Sequence, residues 1–212
     1  TSCLRALLSP LVCLPALLTP PGAKAGEAPS AQPANLIVNS SFEDSSDLGG
    51  PAEGWTVPGT PAGGFNQPTA EKAHGGRFCH RITVPPETEI NWYQVRQEIA
   101  GASAGNTFTL SVFLQTENVR DGSGAYCSIN CFDGADKRIG IFDAEAKLTG
   151  TVAEWRRQSV TATIPKGTTR TVCILTLHGH GSAWFDDVQF EAGAAATEYQ
   201  RSLPDLQAAR QA

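Results

Sequence analysis

Two adjacent acids near the end of the chain are the first residues whose surroundings imply chemistry. In "GSAWFDDVQF" (181–190), Asp186 and Asp187 interrupt a run of aromatic and aliphatic residues. Strand side chains alternate between faces, so one of the two, Asp186, shares a face with Trp184, Val188 and Phe190. A buried carboxylate is costly unless hydrogen-bonded, paired or bound to a metal. His178 and His180 in "HGHG" have metal-like spacing, but no third ligand lies near them in sequence, and a Gly-rich loop is the better reading. "FDGADK" (132–137) has the oxygen content of a calcium loop without its full spacing and reads as a turn. His80 falls on the face of Phe78 and Ile82, as a hydrogen-bonded core residue would. Glu89, Glu98 and Asp133 are acids without the spacing that would select a catalytic pair. No G-x-S-x-G, H-E-x-x-H or P-loop pattern occurs. From these residues the first expectation is not an enzyme.

The elements that must position them are short strands. From Asn35 onward the candidates are 35–39, 54–58, 77–84, 91–99, 107–117, 124–132, 154–164, 170–178 and 182–191, separated by Gly, Pro, Asn and Asp. Regular short strands with turn signals between them predict an all-β antiparallel sandwich. Residues 26–34, "GEAPSAQPA", read as a Pro/Ala linker. The tail, 193–212, has one short helix expected after Pro204. Residues 1–25 read as a truncated signal peptide: Arg5 as basic remnant, an apolar run broken by prolines, and a small-x-small "AKA" at 23–25. The run is too short and too proline-rich to span a membrane as a helix. The expectation is a secreted, periplasmic or cell-surface protein.

Cleavage there would remove two of the 16 basic residues and none of the 21 acids, leaving a net charge of −7. No basic run remains, which argues against nucleic acid and anionic membranes as partners. Cys79, Cys127, Cys131 and Cys173 would remain. Cys127 and Cys131 lie roughly 13 Å apart along one strand, beyond disulfide reach, and no C-x-x-C motif suggests zinc or redox chemistry.

Alternation sorts the strand residues. Trp92, Gln94, Arg96 and Glu98 oppose Tyr93, Val95 and Ile99. Tyr126, Ser128, Asn130 and Phe132 oppose Cys127, Ile129 and Cys131. Val172, Ile174, Thr176 and His178 oppose Cys173, Leu175 and Leu177. If these strands share a sheet, one face is core and the other mixes aromatics with amides and hydroxyls. Sugars require that mixture, because rings stack on C–H faces while polar groups bond hydroxyls.

The order of "NLIVNSSFE" (35–43), "GW" (54–55), "GGRF" (75–78), "WYQVRQEI" (92–99), "TFTLSVFLQTE" (107–117), "EWRRQSVTATIP" (154–165) and "GSAWFDDVQFE" (181–191) resembles the carbohydrate-binding modules of families four, nine and twenty-two, which are galactose-binding-like jelly rolls. The resemblance covers roughly residues 35–192. It implies a two-sheet jelly roll, with strands 77–84, 182–191, 107–117 and 154–164 in one sheet. Strands 91–99, 170–178 and 124–132 would form the other, its outer face concave and glycan-binding. On that face Trp92 and Tyr126 would stack on sugar rings, Gln94, Arg96 and Asn130 would bond hydroxyls, and His178 would border the ligand. Trp55 and Trp155 would be core. Cys173 would face Cys127 or Cys131, either bridged or as one of three buried thiols. The resemblance also implies a structural Ca2+ held by Glu43 and Asp186, with the Ser41 carbonyl and Glu71 completing the shell. The alternative is that Asp186 accepts N–H groups from a loop. A non-catalytic glycan-binding module is the first functional expectation. A surface or assembly protein using the sandwich for protein contacts is the second, and a jelly-roll hydrolase the third.

Overall fold

The computed structural model describes residues 32–45, 49–202 and 205. The segment read as a signal peptide and most of the linker lie outside these residues, as does the helix expected after Pro204, Asp205 excepted. Among the described residues, no helix is long and apolar enough to cross a membrane.

Seven antiparallel strands form the fold: β1 (Phe65–Thr69), β2 (Cys79–Val84), β3 (Trp92–Glu98), β4 (Thr107–Phe132), β5 (Arg138–Asp143), β6 (Gly150–Thr163) and β7 (Arg170–Ala192). β4 and β7 pair with each other along most of their length and pass through both layers of a sandwich. In the first layer, β1 pairs β2, β2 pairs the C-terminal half of β7, that half pairs the N-terminal half of β4, and β4 pairs β6. In the second layer the order is β3, the N-terminal half of β7, the C-terminal half of β4, then β5. This is the two-sheet arrangement the resemblance implied.

The structure joins what the sequence separated. Strands expected at 107–117 and 124–132 are one strand, as are those at 170–178 and 182–191. The crossing between layers is made where the register shifts, between Glu117 and Gly124. "HGHG" is therefore not a loop but the bend of β7. Gly181 sits there at φ 112°, and a Cβ would fall 2.6 Å from the Asn118 carbonyl oxygen, so the two backbones approach as only glycine permits.

Segments 35–39 and 54–58 form no strand. Each contributes a narrow attachment: Leu36 N–H donates to the Phe190 carbonyl (2.8 Å), and Thr56 pairs with Arg96. Conversely, β1 and β5 were not expected. Both are short edge strands, and β1 contains Pro68, tolerated only at an edge.

The core lies between the layers. Leu110, Val112, Leu114, Ile82, Val84, Phe185 and Phe190 come from the first layer; Val95, Cys127, Ile129, Cys131, Cys173, Leu175 and Leu177 come from the second. All four described cysteines are free and buried. Cys173 pairs in register with Ile129, between Cys127 and Cys131, and burial pushes the Cys127 thiol up to about 12. The three buried thiols of the second layer pack as small apolar side chains. His80 is fully buried, its Nε2 against Asn66 Oδ1 at 2.8 Å, and burial lowers its pKa to about 3. Trp55 is in the core and donates its indole N–H to the Asn39 carbonyl.

Trp155 is not core. On β6 the even-numbered Gln158, Val160 and Ala162 are the buried positions. Trp155 therefore lies on the outer face, half-buried beside His74 at 5.5 Å between ring centroids. Residues 193–202 run irregularly along the sandwich and are bonded to it: Gln200 N–H donates to Gln189 Oε1 (2.7 Å) and Thr197 N–H to the buried Glu191 carboxylate (2.8 Å).

Candidate functional site

The outer face of the second layer is an open groove of about 950 Å3. Its geometry follows from the register. One row across the sheet is Trp92 and His178. The next is Gln94, Thr176 and Tyr126, followed by Arg96, Ile174, Ser128 and Asp143. Then come Glu98, Val172, Asn130 and Ile141, and last Arg170, Phe132 and Arg138. The alternation that put Cys127, Ile129, Cys131, Cys173, Leu175 and Leu177 inward points their neighbours into the groove. All six residues expected on this face, Trp92, Gln94, Arg96, Tyr126, Asn130 and His178, occupy it or its rim.

Their environments differ. Trp92 is 57% exposed. One face of its indole stacks on His178, with centroids 4.4 Å apart and planes 14° from parallel. The other face is open. His178 is fixed beneath it by Ser123, whose N–H approaches Nδ1 at 3.0 Å, and burial lowers the His178 pKa. Tyr126 is different: only 4% exposed, with the Lys147 ammonium 4.0 Å above its ring. That cover blocks the stacking role expected of it and leaves Tyr126 as floor. Asn130 is also floor, 7% exposed, and its Oδ1 has no hydrogen-bond partner. Arg96 is steadied by Gln94, whose Oε1 accepts from Nε at 2.8 Å.

Reading the sequence missed the far wall. Arg138, Ile141 and Asp143 line the groove from β5, a strand hidden by its brevity. Ile141 is more than half exposed beside the buried floor. The available signal was the short run "RIGIFD" between two turn-rich segments.

The residues expected to hold calcium lie in the opposite layer, away from the groove. Asp186 is fully buried, but not in the apolar core. A β-bulge, with Asp187 at φ 48° and a register shift opposite Ser111–Phe113, changes the parity of β7. Phe185, Val188 and Phe190 point inward, while Trp184 lies outside the core cluster, under Lys72 at 3.8 Å. Asp186 is covered instead by the loop between β1 and β2. Its Oδ2 accepts the His74 and Gly75 N–H groups at 2.8 and 3.1 Å, and its Oδ1 accepts that of Asp187 at 2.7 Å. Burial and the Asp187 charge raise its pKa to about 8.

Glu43 Oε1 accepts from the N–H groups of Arg77 and Phe78 at 2.8 and 2.9 Å. A Cβ on Gly76 would fall 2.4 Å from that oxygen, so glycine is what lets the loop close on the carboxylate. Glu71 turns away to pair with Arg81, and Ser41 is buried. Among the described residues no three acids, histidines or cysteines group closely enough to hold an ion. His178 and His180 do not pair either: His180 bonds Asp121 and the Thr88 carbonyl. In "FDGADK", Asp133 Oδ1 accepts the N–H groups of Ala135 and Lys137, closing a turn.

Comparison with known proteins places the fold. No protein-family model matches the chain. The CBM22-1 xylan-binding domain of Paenibacillus barcinonensis Xyn10C superposes with a TM-score of 0.55 at 16% identity, covering 79% of this chain and 100% of that one. The fold is that of the carbohydrate-binding-module β-sandwich. The enzymatically active domain of bacteriophage CBA120 tailspike protein 4 has a TM-score of 0.56 at 13% identity, covering 76% of this chain and 22% of that one. In sequence, 98 residues, 44% of the chain, are 31% identical to the tRNA nuclease WapA of Bacillus subtilis (strain 168); they span 4% of that protein.

Proposed function

We propose that the domain is a non-catalytic, secreted or cell-surface module that binds poly- or oligosaccharide in the groove of its second layer. The observation that carries this reading is Trp92: an exposed indole held flat by His178 over a floor of amides and hydroxyls. A ring fixed on one face and open on the other is a stacking platform for a pyranose, and it loses little conformational freedom on binding. Gln94, Arg96 and Asn130 supply hydroxyl partners. Resemblance to a xylan-binding domain makes β-linked xylans and glucans the first ligands to try.

Two observations support the non-catalytic reading. The groove-lining carboxylates, Glu98 and Asp143, stand on opposite edge strands, and each is held by a cation, Arg170 at 3.2 Å and Lys147 at 3.0 Å. Across the sheet from one another, and each beside a cation, they do not make the close carboxylate pair of a retaining glycosidase. The second reading, an assembly or surface protein, is favoured by the small share that this domain represents of the tailspike domain and of the nuclease. In that setting the same sandwich would contact protein.

The test is retention on soluble xylan and β-glucan by affinity electrophoresis, with titration calorimetry on oligosaccharides. Trp92→Ala should weaken binding at least about fivefold, because truncating a central aromatic anchor costs more than ~1 kcal/mol. Its melting temperature should stay within a few degrees of wild type, since the ring is largely exposed. Wild-type protein that is retained on no glycan, yet captures a protein partner through this face, would favour the assembly reading.

A further inference from the structure

The charged residues of the groove do not cancel. Glu98 is paired with Arg170, which also meets Asp136, and Asp143 is paired with Lys147. Two groove-lining cations are left over. Arg96 bonds only the neutral Gln94 amide, and Arg138, exposed at the start of β5, makes no ion pair among the described residues. They stand on opposite edge strands, and both line the groove. Burial and the neighbouring Arg138 charge hold the Arg96 guanidinium below its usual range. Like charges facing across a groove are unfavourable unless something anionic comes between them. The arrangement occurs in a chain whose net charge is −5, so it opposes the general field of the molecule.

We infer that the groove is built for an acidic sugar, a uronic acid whose carboxylate enters between Arg96 and Arg138. Guanidinium suits this role, because its fork matches the two carboxylate oxygens. The inference rests on the glycan-binding reading and narrows it: Trp92 supplies the stacking platform at one end, and the arginines select the charge at the other.

The experiment compares one polysaccharide in two states, glucuronoxylan and the same glucuronoxylan after its carboxyl groups are reduced to alcohols. A sulfated xylan is the third arm. Wild-type protein should bind the native polymer roughly tenfold more tightly than the reduced one, and only the native polymer should lose affinity as salt rises. Arg138→Gln, at an exposed position with little folding risk, should remove most of that preference. Arg96→Gln should do the same, with its melting curve confirming the fold. Trp92→Ala should weaken both polymers together. Equal binding of native and reduced polymer, with Trp92→Ala still damaging, would overturn the acidic specificity and leave the glycan reading standing. Retention of none of the three polymers would remove both. Sulfated xylan bound as tightly as the uronate would also overturn the assignment, showing a site for polyanions generally.

Discussion

The two outer faces of this sandwich are treated oppositely by the chain that builds them. On the first layer, charged groups are met from within. Asp186, Asp187 and Glu43 are closed by the loop between β1 and β2, through four backbone N–H groups and the His74 ring, and Asp186 also accepts the Asp187 N–H. Lys72 meets Glu117, and Arg81 meets Glu71. The donors left over there, Trp184 Nε1 and Arg157 Nε, are parts of side chains held by cation–π stacking or a second hydrogen bond. On the second layer, nothing closes over the sheet. The indole of Trp92 is largely exposed, and Arg96 and Arg138 have no ion-pair partner among the described residues. Polar groups are satisfied wherever stability depends on it. Carboxylates closed over by backbone donors on one face, and two groove arginines left without a carboxylate on the other, mark the second face as the one whose partner comes from outside.

The comparison breaks most visibly at Asp186. Asp186→Ala strips three backbone N–H groups of their acceptor and leaves a void beneath the loop. Each buried donor left unsatisfied costs about 1–3 kcal/mol. The expected loss is roughly 3 kcal/mol, read as a drop of several degrees in melting temperature. Asp186→Asn keeps an acceptor for the loop and should recover most of it. Glycan affinity should be unchanged in both variants, because the groove lies across the core. The same melting curves run with and without chelator test the calcium expectation: carboxylates filled by backbone donors give coincident curves. A fall restored by added calcium would show that Glu43 and Asp186 surrender those N–H groups to a cation.

The sequence made the groove legible and the loop-covered face less so, for a physical reason. Strict alternation in β3, β4 and β7 assigns Trp92, Gln94, Arg96, Tyr126, Asn130 and His178 to one face, since a period of two is all the assignment needs. The first layer depends on a break in that period. The bulge at Asp187 reverses the parity of β7, and nothing in "FDDV" announces it, so Asp186 appeared to belong with Phe190. Trp155 appeared to be core through resemblance, although its parity with Arg157 against Val160 and Ala162 already pointed outward. The cover on Tyr126 was invisible for a different reason: Lys147 lies 21 residues on in a loop after β5, and long-range cation–π contacts leave no periodic trace.

Intermediate effects are expected from pH. His80 has a folded pKa of about 3, below its unfolded value near 6.5. Its contribution to stability is present above pH 6.5 and is lost as pH falls toward 3. Asp186 has a folded pKa of about 8, above its unfolded value near 4. Its contribution is present below pH 4 and is lost as pH rises through 8. Between about pH 4 and 6.5 the two slopes oppose each other and nearly cancel. Outside that window stability declines on both sides, by ~1.4 kcal/mol per pH unit at most. From pH 6.5 to 8 the expected loss is ~2 kcal/mol. Denaturant melts across pH should show this plateau, with His80→Gln removing the acid limb and Asp186→Asn the alkaline one. Groove affinity should change little from pH 6.5 to 8, because burial holds the His178 pKa below its usual value. A binding curve that tracked the stability curve would mean that the two faces are coupled through the core.

The smallest effect concerns a place where the open face is partly closed. Lys147 reaches over Tyr126 while paired with Asp143, a cation–π cover beside the one that Arg170 makes over Phe132. Such a contact near the surface is worth about 0.5–1 kcal/mol, and the exposed ion pair adds little. Lys147→Ala should therefore leave the melting temperature within about two degrees of wild type. It should also uncover the Tyr126 ring one row from Trp92, giving a pyranose chain a second surface to stack on. The expected outcome is a two- to fivefold gain in affinity for neutral oligosaccharides by calorimetry. Tyr126→Ala should abolish that gain in the Lys147→Ala background. A loss of affinity on removing Lys147 would instead make the ammonium a direct ligand contact, and Tyr126 its support.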